Sequence, residues 1–119
     1  MTKPLAFIIE DDPQLNTIMS ITLEPDFEIE SCADGAVGLD RLKEITPNIV
    51  VLDLNLPGAS GKSILKYIRA DERLAKIRVI LTTADERQAE YLRDDADIVL
   101  LKPVSPAQLR QLAFRLRAQ

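Results

Sequence analysis

Three carboxylates stand directly after two short apolar runs, where their chemistry would be concentrated. Glu10 and Asp11 follow the run 5–9, and Asp53 follows the run 49–52. A carboxylate can act as a covalent nucleophile and carry phosphate as an acyl phosphate. Crowded carboxylates repel one another unless a cation compensates, and oxygen ligands without histidine favour a hard ion such as Mg²⁺. These residue types indicate a phosphate-accepting site beside a magnesium ion.

A hydroxyl and an ammonium group follow two further apolar runs. Thr83 comes after the run 79–81, and Lys102 comes directly after the run 98–101. A lysine and a metal ion can neutralise the charge on the oxygens of a transferred phosphoryl group, and a hydroxyl can bind another of these oxygens. Taken singly, each polar residue also has a structural explanation, and we interpret Asp12 as a helix cap. The combination is what indicates a site.

Strands and helices that would position these groups alternate along the chain. The four apolar runs lack polar residues, which is typical of strands covered on both faces. Residues 27–32 alternate instead, which predicts a strand with one wetter face at a sheet edge. Helical patterns begin near Pro13, Gly35, Gly61, Asp85 and Pro106. In the segment 85–94 only Ala89, Tyr91 and Leu92 could pack, so this fourth helix is expected to be short or loosely held.

This alternation predicts an α/β fold with a doubly wound, five-stranded parallel sheet, because parallel neighbours require crossover connections. Ligands bind such sheets at the carboxyl ends of the strands, where the strand order reverses. For the order 2-1-3-4-5 the reversal lies between strands one and three, where Glu10, Asp11 and Asp53 would meet. No linker interrupts the pattern, so we assign one domain to residues 1–119.

Composition and charge argue against a membrane-spanning protein and against a nucleic-acid-binding protein. The 119 residues contain no apolar run of the ~20 residues that a membrane helix needs. A single cysteine, Cys32, fits a cytoplasmic protein and is expected to be a core residue. The net charge of −4 argues against direct nucleic-acid binding. We interpret Arg110, Arg115 and Arg117 as a solvated helix face, with a small protein-contact patch as the alternative.

The chain resembles the response-regulator receiver family of two-component signalling, whose members are CheY-like, over its whole length. The resemblance rests on four motifs in the family's order, namely Ile8-Ile9-Glu10-Asp11-Asp12, Leu52-Asp53-Leu54-Asn55-Leu56-Pro57-Gly58, Thr83-Ala84 and Lys102-Pro103. It implies a flavodoxin-like (βα)5 fold.

The resemblance also implies the roles of the acidic residues. Asp53 would be the phosphoacceptor, charged from the phosphohistidine of a histidine kinase or a histidine phosphotransfer protein. Mg²⁺ would be bound directly by Asp11, by Asp53 and by the backbone carbonyl of Asn55, with Glu10 acting mainly through water. Asn55 and Asp85 flank the expected position of an attacking water, which predicts measurable self-dephosphorylation.

The resemblance further implies that Thr83 and Lys102 contact the phosphoryl oxygens and that the peptide bond before Pro103 is cis. Two departures from the family pattern bear on signal output. Val99 stands where the family usually carries a Tyr or Phe whose ring rotation reports phosphorylation. The interval 83–102 is also shorter than usual by about three residues, close to one helical turn. We expect phosphoryl chemistry to be retained and the route to the output to be altered, with a deletion in a non-signalling loop as the alternative.

The expected function is that of a phosphorylatable switch that regulates a partner or an attached output domain, without independent substrate turnover. One alternative is a pseudo-receiver that serves only protein contacts. A second is a phosphatase of the haloacid dehalogenase type, which would need an aspartate where Asn55 stands. The downstream effector is unknown, no membrane is involved, and a monomer or weak homodimer is expected. Both a stand-alone regulator and the receiver of a longer protein fit the sequence.

Overall fold

A computed structural model describes residues 3–117, and in this range strands and helices alternate. The strands are β1 (Leu5–Ile9), β2 (Glu28–Cys32), β3 (Ile49–Asp53), β4 (Arg78–Thr83) and β5 (Ile98–Leu101). The helices are α1 (Pro13–Leu23), α2 (Gly35–Leu42), α3 (Gly61–Ala70), α4 (Glu86–Leu92) and α5 (Pro106–Arg117). A 3₁₀ turn, Arg93–Asp95, follows α4.

All strands run parallel in the order β2-β1-β3-β4-β5, which confirms the predicted α/β fold, the doubly wound sheet and its strand order. The chain order reverses between β1 and β3, and these strands are hydrogen-bonded neighbours. Because parallel strands end at the same edge, the residues after each strand are brought to one side of the molecule.

The sheet separates two apolar clusters. On one face, α1 and α5 pack through Met19, Leu23, Leu109 and Ala113. On the other face α2, α3 and α4 cover the sheet, and Cys32 and Val99 pack against that cluster. Cys32 is half-buried at the margin of the cluster, so its expected core position is met only in part, and burial raises the pKa of its thiol.

The two edge strands have different sequence patterns, since β2 alternates polar and apolar residues and β5 is entirely apolar. The strand β2 lies at one edge and is half-exposed, as its alternating pattern predicts. The strand β5 lies at the other edge, and its side chains pack on both faces, Val99 against one apolar cluster and Ile98 and Leu100 against the other, as predicted. It has one neighbouring strand and Leu101 is exposed. A run of four apolar residues is too short to distinguish an edge strand from a central strand.

Side-chain caps start all five described helices, and at α5 the cap is Ser105 Oγ, which accepts from the N–H of Gln108 at 3.2 Å. The Asp12 carboxylate accepts from the backbone N–H groups of Gln14 and Leu15, which confirms its interpretation as a cap. Asp34, Ser60 and Asp85 do the same for α2, α3 and α4.

The helix α4 is short, as predicted, with seven residues. Ala89 and Leu92 are buried, but Tyr91 is 76% exposed, so the expectation that Tyr91 could pack was wrong. Its ring instead lies under the Lys62 ammonium, 5.1 Å from nitrogen to ring centroid. Arg69 on α3 holds the turn after α4 by donating to the backbone carbonyl of Asp95 at 2.8 Å.

The arginines of α5 lie on an exposed face, in agreement with the predicted solvated surface. Arg110 pairs with Asp26 at 3.2 Å, and Arg117 stacks on the half-exposed ring of Phe114. Within residues 3–117 no helix combines the length and the apolar character needed to cross a lipid bilayer.

Candidate functional site

The ends of β1 and β3 bring three carboxylates together. Glu10 and Asp11 follow β1, and Asp53 is the last residue of β3. One oxygen from each side chain lies within 4.8 Å of the others. Glu10 and Asp53 are each 1% exposed, whereas Asp11 is exposed to solvent. The cluster is therefore a buried pair of acids with a third acid at its mouth.

Asp53 is held from two sides. Its Oδ1 accepts a hydrogen bond from the backbone N–H of Asn55 at 3.1 Å, and its Oδ2 accepts one from Lys102 Nζ at 3.2 Å. The close approach of α3 requires a glycine at position 61, because a Cβ there would lie 2.3 Å from the Asp53 carbonyl oxygen. The carboxylate is fixed in a defined direction at the strand end.

Lys102 connects the two buried acids. Its Nζ lies 3.1 Å from Glu10 Oε1 and 3.2 Å from Asp53 Oδ2. Burial of the ammonium lowers its pKa, but hydrogen bonding and attraction to the two carboxylates outweigh this effect and raise the pKa of Lys102 above 10.5. The lysine therefore stays charged and offsets part of the negative charge of the cluster.

Glu10 is the carboxylate of the cluster whose charged form is most disfavoured by its surroundings. Its Oε2 accepts from the backbone N–H of Asp12 at 3.0 Å. Its Oε1 is fully buried, and Lys102 Nζ at 3.1 Å is the polar contact that the described residues provide for it. Burial, together with the Asp53 charge, raises the pKa of Glu10 from 4.5 to about 7.

These donors fit a hard divalent cation. All three side chains offer carboxylate oxygens, and Glu10 Oε1, which contacts Lys102 Nζ, retains a lone pair for a cation-bound water. Asp11 has no hydrogen-bond or salt-bridge partner within the described part of the chain, so its carboxylate is free to bind. Cysteine and histidine ligands, which would suit softer metals, are absent from the cluster.

Thr83 ends β4 at the same edge of the sheet. It is fully buried, and its Oγ1 accepts from the backbone N–H of Asp85 at 3.0 Å. The register pairs Thr83 with Leu101, the residue before Lys102. Thr83 and Lys102 therefore reach the edge side by side on neighbouring strands.

The remaining predicted positions lie around this group. Asn55 is exposed, and its backbone N–H is the donor to Asp53. The Lys102–Pro103 peptide bond is cis. Val99 is half-buried on the face covered by α2, α3 and α4.

Two residues near the site were given no role from the sequence. Thr82 is fully buried, its Oγ1 has no hydrogen-bond partner among residues 3–117, and the sheet register pairs it with Asp53. Asn16, on α1, donates its side-chain amide to the carbonyls of Glu10 and Cys32. A polar residue inside an otherwise apolar strand was the available signal for Thr82, whereas the pattern around Asn16 is that of an ordinary helix.

A parallel sheet with acidic residues at its switch point defines a flavodoxin-like receiver architecture. The family described as "Response regulator receiver domain" matches residues 6–114, and the chain belongs to this family.

Relatives include the DNA-binding response regulator MtrA of Mycolicibacterium smegmatis, 30% identical over 94% of this chain and 48% of MtrA. Hybrid signal transduction histidine kinase D of Dictyostelium discoideum is 29% identical over 90% of this chain and 7% of the kinase. The chain thus spans less than half the length of these two relatives. A solved BeF3-activated DrrB receiver domain superposes with a TM-score of 0.89 at 25% identity, covering 99% of this chain and 100% of that one.

Proposed function

We propose that the chain is a phosphoryl-accepting switch in which Asp53 takes a phosphoryl group from the phosphohistidine of a histidine kinase or a histidine phosphotransfer protein. The observation that carries this proposal is the buried Asp53 carboxylate, fixed at a strand end between a lysine and two further acids. Relatives that are a response regulator and a hybrid histidine kinase support it.

Mg²⁺ would be held by Asp11, Asp53 and the backbone carbonyl of Asn55, with Glu10 acting through water. When bound, it supplies positive charge next to the transferred oxygens. The three carboxylate oxygens of Glu10, Asp11 and Asp53, which lie within 4.8 Å of one another, and the exposed position of Asp11 support this assignment.

The transfer forms a bond from an Asp53 carboxylate oxygen to phosphorus as the P–N bond of the donor breaks, and the donor imidazole keeps the electron pair. Lys102 already donates a hydrogen bond to Asp53 Oδ2. Its ammonium group is therefore close enough to bind an oxygen of the phosphoryl group that Asp53 would carry. Thr83 would donate its O–H to another phosphoryl oxygen, and its Oγ1 can at the same time keep accepting from the N–H of Asp85.

The acyl phosphate would then be lost to water, and the protein would act as a switch rather than turn over an independent substrate. Asn55 and Asp85 are both exposed beside the site, which supports self-dephosphorylation. A cytoplasmic location and an unidentified downstream partner complete the proposal. With Val99 in place of an aromatic ring, the output would not depend on ring rotation.

The experiment is phosphorylation by acetyl phosphate with Mg²⁺, followed by intact-protein mass measurement. The wild type is expected to gain one phosphoryl group and Asp53→Asn none, since the chain contains no histidine that could hold the group instead. Equal labelling of both proteins would reject Asp53 as the acceptor. No labelling of the wild type, together with no Mg²⁺ binding at millimolar concentration, would favour a pseudo-receiver.

A further inference from the structure

Asn16 occupies a position that joins the ends of β1 and β2. It is the fourth residue of α1, and its side-chain Nδ2 donates to the Glu10 carbonyl at 3.0 Å and to the Cys32 carbonyl at 3.1 Å. The side chain is half-buried between the two strand ends. One amide group therefore ties the acidic loop to the neighbouring strand.

These bonds fix the peptide group that links Glu10 to Asp11. The N–H of Glu10 already donates to the Cys32 carbonyl at 3.1 Å, so the residue is held on its amino side by β2. The Glu10 carbonyl belongs to the next peptide, and Asn16 holds it from α1. The direction in which the chain leaves Glu10 is thus set by the strand on one side and by Asn16 on the other.

Asp11 depends on this backbone more than its neighbours do. Glu10 has Lys102 and the Asp12 N–H to orient its carboxylate. The Asp11 carboxylate is exposed, and the described residues provide no hydrogen-bond or salt-bridge partner for it. Its position relative to Glu10 and Asp53 therefore follows from the conformation of the peptide that Asn16 holds.

The position of Asn16 requires a side chain with two N–H donors. Two carbonyl oxygens converge on one short side chain, and only a group with two N–H donors satisfies both at that length, which among the short side chains means asparagine. An aspartate of the same shape would place negative oxygens against two carbonyl oxygens. Alanine would leave the Glu10 carbonyl without this donor, while the Cys32 carbonyl would retain the Glu10 N–H.

We propose that Asn16 is a positioning residue for the cation site, holding the Glu10–Asp11 peptide so that the Asp11 carboxylate faces Asp53. This inference rests on the proposed function, because it assumes that the acidic cluster binds Mg²⁺. Residues that orient metal ligands without touching the metal typically change metal affinity by about 10–100-fold when removed.

The test is Mg²⁺ titration followed by backbone amide NMR on wild type, Asn16→Ala and Asn16→Asp, at a temperature where all three are folded. We expect Asn16→Ala to weaken Mg²⁺ binding by about tenfold and Asn16→Asp by at least as much. Thermal unfolding of the same proteins in EDTA gives their stability separately.

The matched control is Arg73→Ala. Arg73 also bridges backbone carbonyls, donating to Ile45 at 2.6 Å and to Leu42, but it does so at the far end of α2. It should lower the unfolding temperature without changing Mg²⁺ affinity. If Asn16→Ala lowers stability yet binds Mg²⁺ like the wild type, Asn16 is purely structural and the inference fails. If the wild type itself binds no Mg²⁺, the proposed function fails first.

Discussion

Glu10 is the residue whose chemistry is most altered by folding. A carboxyl that is 1% exposed beside a second buried acid has its pKa raised to about 7, mainly because burial disfavours the charged form. The positive charge of Lys102, 3.1 Å from Glu10 Oε1, lowers the pKa of Glu10 but does not cancel the rise caused by burial. At neutral pH the cluster therefore lies close to the point where one proton binds or leaves.

The raised pKa predicts a pH-dependent stability in the absence of metal. Between pH 4.5 and about 7 the folded protein holds a proton on Glu10 that the unfolded chain releases. The free energy of unfolding should therefore fall as pH rises through this window. Urea unfolding in EDTA across the window measures the slope, and Glu10→Gln should flatten it. An unchanged slope in that variant would show that another group titrates.

Thr82 and Thr83 form a matched pair of buried hydroxyls with opposite expected effects. Thr82 Oγ1 is buried without a partner, so Thr82→Val should stabilise the metal-free protein by about 1 kcal/mol. Thr83 Oγ1 accepts the Asp85 N–H, and Thr83→Val should destabilise it by about 1–2 kcal/mol. Chemical denaturation of both variants provides the comparison. Destabilisation by Thr82→Val would reveal a bound water or other partner at that hydroxyl.

At the scale of elements, local patterns in the sequence predicted the strands and helices but not the contacts between residues that are distant along the chain. The existence of the strands and the cap at Asp12 followed from apolar runs, helix patterns and turn residues, whereas the strand order does not follow from such local patterns. Asn16 was missed because its partners are backbone carbonyls from two strand ends, which no local pattern reveals. The exposure of Leu101 and Tyr91 was also missed, since it depends on the edge position of β5 and on how little α4 covers.

The junction of β3 and α3 is the tightest connection at the site. A Cβ on Gly61 would lie 2.3 Å from the Asp53 carbonyl oxygen and 2.5 Å from the Leu54 Cα, and both are backbone atoms that cannot turn aside. Gly61→Ala should therefore displace the Asp53 strand end, lower stability by about 2 kcal/mol or more and slow labelling by acetyl phosphate.

Gly38 provides the control for this substitution. A Cβ at that position would meet the tip of the Ile9 side chain at 2.9 Å, which is able to change rotamer. Gly38→Ala also replaces a helical glycine, so it should change stability by less than Gly61→Ala and leave labelling intact. Denaturant unfolding and the labelling rate distinguish the two variants, and equal losses would contradict the backbone explanation.

On the scale of the whole molecule, the site draws on four of the five strands, while the sheet divides the helices into two groups. Glu10, Asp53, Thr83 and Lys102 come from the ends of β1, β3, β4 and β5. Side chains of these four strands pack in both apolar clusters, so the strands that carry the site contact helices on both faces of the sheet. We infer that signal output does not need a rotating aromatic ring at position 99. The N–H of Asp85, the cap of α4, already donates to Thr83 Oγ1, which connects the site to the start of that helix.

The brevity of α4 has a consequence for how the protein opens in solution. Only Ala89 and Leu92 among its seven residues are buried, so its detachment exposes one large apolar side chain and leaves both clusters largely intact. The free energy of this local opening should lie far below that of global unfolding. Native-state hydrogen exchange should show α4 amides exchanging as a separate subglobal unit, well before those of β3. Exchange of α4 and β3 at the same rate would show instead that the helix and the sheet unfold as one cooperative unit.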